Sequence, residues 1–94
     1  RKGAPKPATP DMAPGSVGRA INDYLDGRDL ADVSEGYRRA VRRHLEAVAA
    51  TFKGALLSDL LPRHVRADVA RLDGTAALAR HKAWRRFLAW AVRN

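Results

Sequence analysis

The chain has 94 residues, with 18 Lys+Arg against 10 Asp+Glu for a formal charge of +8, three histidines and no cysteine. A length like this holds one small domain at most, and the missing thiols exclude disulfide scaffolds, thiolate zinc sites and thiol catalysis together. Apolar residues make up 46%, yet no uncharged run approaches the roughly 20 residues needed to span a bilayer, so no segment reads as a membrane span.

In chain order, residues 1–15 hold all but one of the five prolines and three cationic side chains. With Met12 as the one sizeable apolar group, they read as a flexible Pro/Ala-rich basic linker or arm. The first residue, Arg1, is not a methionine, so the chain reads as a module excised from a longer protein. Residues 16–94 split into four helical patterns. Ser16 is placed to cap a first helix with apolar positions Val17, Ala20, Ile21, Tyr24 and Leu25, and Gly27 to end it. After a polar link (RDLAD), Ser34 precedes a longer helix in which Tyr37, Val41, Leu45, Val48 and Phe52 form the stripe, closed by Lys53-Gly54. Pro62 opens a third helix whose buried stripe is expected at Val65, Val69 and Leu72, up to an Asp73-Gly74 turn. The last helix runs from about Thr75 to Arg93, with Ala77, Trp84, Phe87, Leu88 and Ala91 in one arc and Trp90 at its margin. No strand-like alternation and no internal repeat is present, so the pattern is all-α.

Charge is polarised along the chain: +3 over residues 1–22, −4 over 23–35, +3 over 36–52 and +6 over 53–94. Asp23, Asp26, Asp29, Asp32 and Glu35 form an acidic flank. Arg38, Arg39, Arg42 and Arg43 lie roughly opposite the apolar stripe of the second helix, and Lys82, Arg86 and Arg93 roughly opposite that of the last. A merely solvated helix face interleaves acids with its bases, whereas the second helix supplies only Glu35 and Glu46 and the last supplies none. Arginine far outnumbers lysine, which suits bidentate phosphate and guanine recognition, although a GC-rich genome favours arginine without any binding role.

Other chemistries find no support. His44, His64 and His81 lack metal-ligand spacing, and no phosphate loop, nucleophile elbow or paired acidic motif is present, so no metal, cofactor or catalytic residue is assigned. Tyr24 and Tyr37 read as core aromatics with wet hydroxyls. Trp84 and Phe87 read as core, and Trp90 as core margin or cover for a neighbouring domain. The second helix has an alanine-rich apolar face too small for a membrane surface.

The stretch YRRAVRRHL (37–45), Gly54, LLSDLLPRHVRADVARL (56–72) and TAALARHKAWRRFLAWAVRN (75–94) resembles the core-binding domain of tyrosine recombinases, the phage and prophage integrases. The likeness covers nearly all of residues 16–94, and its most specific parts are the link between helices two and three and the ending RRFLAWAVRN. It implies a four-helix orthogonal bundle of the SAM-like class that clamps one side of double-stranded DNA at a recombination site. A separate C-terminal catalytic domain, expected after residue 94, would carry the Arg, Lys, His and nucleophilic Tyr set. This part would therefore bind and not cut. The resemblance further implies a bacterial or phage-encoded cytoplasmic protein assembling as a recombinase oligomer on DNA. The positions carried over are Arg38, Arg39, Arg42 and Arg43 on helix two and Lys82, Arg85 and Arg86 on helix four, with Arg93 beside them. Arg80 is a further candidate, but it falls within the apolar arc and must emerge near the helix start or pair locally. One departure is Leu61 before Pro62, where the family commonly has a capping Thr or Ser; Ser58 or Asp59 would then cap an earlier start. Two competing readings are a helical protein-interaction module, using the acidic flank and Trp90, and a free-standing basic DNA-binding protein of the helix-turn-helix sort.

Overall fold

The computed structural model describes residues 14–52 and 54–93. The cationic start over residues 1–13, together with Lys53 and Asn94, lies outside the described residues. The described chain forms four helices, α1 (Val17–Asp26), α2 (Glu35–Thr51), α3 (Pro62–Ala70) and α4 (Gly74–Arg93), with a short 3-10 turn at Leu57–Asp59. No strand is present among the described residues, where the isolated antiparallel bridge joins Ser16 to Leu56.

Local chemistry sets most of the ends. Ser16 Oγ accepts from the Arg19 N–H at 3.1 Å, and Ser34 Oγ accepts from the Tyr37 N–H at 3.1 Å, so each serine satisfies a donor that the first helical turn leaves open. Gly27 ends α1 as expected, but at φ −88 it is not left-handed. A Cβ there would sit 3.2 Å from the Asp23 carbonyl, so a side chain would need that carbonyl to give by a few tenths of an ångström. Gly74, at φ +56, does take the left-handed conformation that turns the chain from α3 into α4. α3 starts at Pro62 and not earlier, which corrects the expectation for Ser58 or Asp59. Leu61 has no side-chain acceptor to offer, and the compensating bond runs the other way: the Leu61 N–H donates to His64 Nδ1 at 2.8 Å.

Val17, Ile21 and Tyr24 of α1, Val41, Leu45 and Val48 of α2, and Ala83, Trp84 and Phe87 of α4 are buried together. α4 packs against each of the other three helices, which makes it the centre of the bundle. Backbone bonds from the Val17 N–H to the Ala55 carbonyl and from the Leu57 N–H to the Gly15 carbonyl, both 2.8 Å, stitch the start of α1 to the segment after α2. Burying each of the large side chains stabilises the fold by about 1.5–3 kcal/mol.

Three expectations about the core are corrected. The link after α1 is not wholly polar, because Leu30 is buried in the main cluster. Tyr37 is exposed, not core; it sits in the first turn of α2, and its ring carries the Arg86 guanidinium 5.8 Å from the centroid. In α3 the residue that is buried is Asp68, while Val65 and Val69 are half-buried. α3 makes extensive packing with α4 alone, too little to enclose a full apolar stripe.

Candidate nucleic-acid interface

α2 and α4 run side by side, cross-linked at two points. His44 meets Arg80 and Tyr37 meets Arg86, so an increasing number on one helix faces a decreasing number on the other, and the two are antiparallel. Midway, Ala40 is half-buried and Ala83 buried, and these small side chains let the helices approach. With 100° of rotation per residue, Arg39 and Arg43 lie on the side of α2 opposite its buried stripe. Lys82 lies on the corresponding side of α4, and Arg85 is turned from it toward α3.

The basic residues named from the sequence separate into two groups. Arg39, Arg42, Arg43, Lys82 and Arg85 are exposed. Arg39 pairs with Glu35 at 2.6 Å, with both side chains about 70% exposed, and Arg42 pairs with Glu46 at 3.7 Å. Exposed i, i+4 pairs of this kind contribute only about 0.3–0.5 kcal/mol, so both guanidiniums can exchange their carboxylate for a phosphate at little cost. Arg43, Lys82 and Arg85 have no acidic partner among the described residues.

The second group is engaged with the protein's own backbone and acids, although Arg38 and Arg93 are exposed as well. Arg38 donates from Nε to the Leu30 carbonyl at 3.2 Å and from Nη2 to the carbonyls of Ala31 at 3.3 Å and Val33 at 3.5 Å, capping the loop between α1 and α2. Arg86 donates to Asp29 Oδ2 at 3.1 Å and to the Asp29 carbonyl at 2.8 Å, and Arg93 lies 3.7 Å from Asp29 Oδ1. Tyr24 completes this hub by donating its hydroxyl to Asp29 Oδ2 at 2.8 Å. The Tyr24 hydroxyl is therefore bonded to protein and not wet. Burial, followed by the Asp29 hydrogen bond and charge, pushes its pKa well above the ordinary phenol value. Arg86 is thus turned from the outer face of α4 toward the acidic loop, and its charge is matched there.

Arg80 is the most enclosed of the predicted set, with its side chain 12% exposed. Its Nη1 donates to both oxygens of Asp68, at 3.1 and 2.8 Å, and its Nε donates to His44 Nδ1 at 3.0 Å. Trp84 Nε1 donates to the same carboxylate at 2.8 Å. Arg80 therefore pairs locally, the second of the two possibilities its place in the apolar arc allowed. His44 is held below its usual pKa by burial first, then by the neighbouring charges of Arg80 and Arg43. Accepting at Nδ1 puts its proton on Nε2.

The sequence did not mark Asp68, Asp29 or His44 as partners of the basic residues, and Asp29 stood only as one member of the acidic flank. Asp68 carried a usable signal, an acid at the edge of an apolar stripe, to be matched with a base in the arc of α4. Asp29 carried none, since four other acids crowd the same stretch. Trp90 is half-buried, its ring 5.3 Å from that of Tyr24 and 6.3 Å from that of Phe87, so it extends this chain's own core. Among the described residues no helix is long and apolar enough to cross a membrane. The chain matches no family profile, no curated protein and no solved structure at a significant level.

Proposed function

We propose that this chain is a DNA-binding module of the tyrosine recombinase type, a SAM-like orthogonal bundle that clamps one side of the duplex while a separate catalytic domain cuts and rejoins it. The observation that carries the reading is the set of exposed, weakly held or unpaired cations on the outer sides of two antiparallel helices, Arg39, Arg42 and Arg43 with Lys82 and Arg85. The residues resembling the family's second and fourth helices supply those same positions. Arg38, Arg80 and Arg86 belong to the scaffold in this reading: they hold the α1–α2 loop and α3 against the bundle and are not expected at phosphates. Arg93, exposed and loosely paired, lies at the edge of the surface.

The mechanism is charge neutralisation with positioning. Guanidiniums release Glu35 and Glu46, take phosphate oxygens, and free condensed counterions from the duplex. Five such contacts give a salt slope near −4.5, or roughly 500-fold weaker binding between 50 and 200 mM salt. Fluorescence anisotropy on a labelled duplex measures this directly. R39E/R43E should weaken binding at least tenfold at low salt while leaving the helical melting curve in place, because both side chains are exposed. Salt-independent binding, or an affinity untouched by the double reversal, would remove the clamp.

A further inference from the structure

A second surface lies on the α3-facing flank of α4, away from α2 and Lys82 and bordered by Arg85. The 3-10 turn, the start of α3 and α4 from His81 to Val92 enclose an open groove of about 660 Å³, walled by Leu57, Leu61, Val65, Leu88 and Val92. Val92 is 88% exposed and Leu61 43%, so large aliphatic groups stand in water at its mouth, a costly arrangement for an unattended surface. α3 leaves this space because it packs extensively on α4 alone. The polar members of the groove are Arg66 and His81, and neither has an acidic partner among the described residues.

We propose that this groove docks an amphipathic helix of a partner protein, seating two or three aliphatic anchors against Leu61, Val65, Leu88 and Val92 and setting carboxylates against Arg66 and His81. Charge selects this occupant. A second copy docked groove to groove would bring two Arg66 guanidiniums into one interface with no acid in either groove lining to balance them. The chain's acidic helix α1 has Val17, Ile21 and Tyr24 already buried in its own core and has no apolar face to lend. Single-stranded nucleic acid is disfavoured because the walls are aliphatic and the one aromatic ring in the lining is the His81 imidazole, too little to stack successive bases. An acidic helix with anchors at i, i+4 and i+7 satisfies both the apolar walls and the polar rim, an arginine and a hydrogen-bonding imidazole with no acid beside them.

The probe is a lactam-bridged helix of about 14 residues with leucine at those three positions and glutamates flanking them, compared with the same helix flanked by lysines. Titrated into the labelled chain and followed by methyl NMR, the acidic helix should saturate, with shifts centred on Leu61, Val65, Leu88 and Val92. V92D should abolish the shifts without unfolding the bundle, since the side chain is exposed. R66E/H81E should weaken the acidic helix about tenfold and favour the lysine-flanked one. The proposal is overturned if neither helix binds or if both bind alike. It is equally overturned by a concentration-dependent dimer that V92D dissolves, by binding to phosphatidylserine vesicles that V92D removes, or by much tighter helix binding once residues 1–13 are deleted. Those three outcomes would assign the groove to a second copy, to a lipid surface and to the chain's own start. R39E/R43E should leave helix binding unchanged, so failure of the DNA reading and failure of this one are separable.

Discussion

Replacing Asp68 by alanine tests the electrostatic centre of the fold. Its side chain is 1% exposed and faces an Arg80 side chain that is 12% exposed, with the Trp84 indole N–H on the same oxygen. Removing the carboxylate strands a guanidinium in a site largely closed to water, which costs about 3–5 kcal/mol. The orphaned indole donor, put at about 1–3 kcal/mol by itself, overlaps with that figure because the same cavity opens for both. A domain of about 80 ordered residues has a total stability of roughly 4–12 kcal/mol, so D68A should melt at least about 12 °C lower. Urea denaturation followed by circular dichroism and tryptophan fluorescence gives the loss directly, since Trp84 lies in the site. Arg80 should depend on Asp68 in return, and the cycle through D68A, R80A and the double variant should show coupling of at least about 2 kcal/mol. D68L/R80M, which removes both charges and keeps apolar volume, should recover the part of the loss due to the stranded guanidinium and leave the part due to the Trp84 N–H. A loss below about 1 kcal/mol for D68A, or strictly additive single variants, would refute this account of the pair.

Further outcomes follow from the same geometry. His44 is held neutral in the fold with a pKa below the ordinary 6.5, so the unfolded chain takes up its proton first and stability falls as pH drops below about 6.5. Arg80, Arg43 and Asp68 surround it, and H44Q, which can still accept from Arg80, should flatten the stability profile between pH 7 and 5; an unchanged slope would assign the effect elsewhere. Y24F should cost about 1–2 kcal/mol through the lost bond to Asp29, measured by urea denaturation. Because the phenol is raised in the fold, wild-type stability should also decline above pH 10, where the unfolded chain gives up that proton more readily, and Y24F should lessen the decline. S34A should remove about 1 kcal/mol by uncapping α2, with amide exchange quickening first in the turn that begins at Glu35.

Helices α1, α2 and α4 were legible from local rules. Ser16 and Ser34 are caps whose partners lie three residues on, and the Asp73-Gly74 turn needs only its own backbone, so their ends appear within a residue or so of the places the sequence indicates. α3 was legible in extent but not in burial. Its stripe is apolar enough to suggest a core face, yet how much of it is covered depends on the neighbours, and α4 alone packs closely on it.

The charged residues divide the same way. Spacing alone puts Arg39, Arg43 and Lys82 on helix faces directed away from the core, because 3.6 residues per turn decides that without knowledge of any partner. Arg80 and Asp68 each stand at or inside an apolar arc, and that misfit is visible in the chain, although only their meeting twelve residues apart shows how it is resolved. Arg86 is the opposite case. By spacing it belongs to the outer face, yet it reaches back across 57 residues to Asp29. Five acids lie between residues 23 and 35, and which of them takes that bond depends on how the loop folds around Leu30. Local spacing and capping chemistry are written in the sequence because they act within a turn or two of the chain. Which arginine stays on the surface and which is consumed by the scaffold is decided only when α4 packs against the loop, since that choice turns on distances between residues the chain keeps far apart.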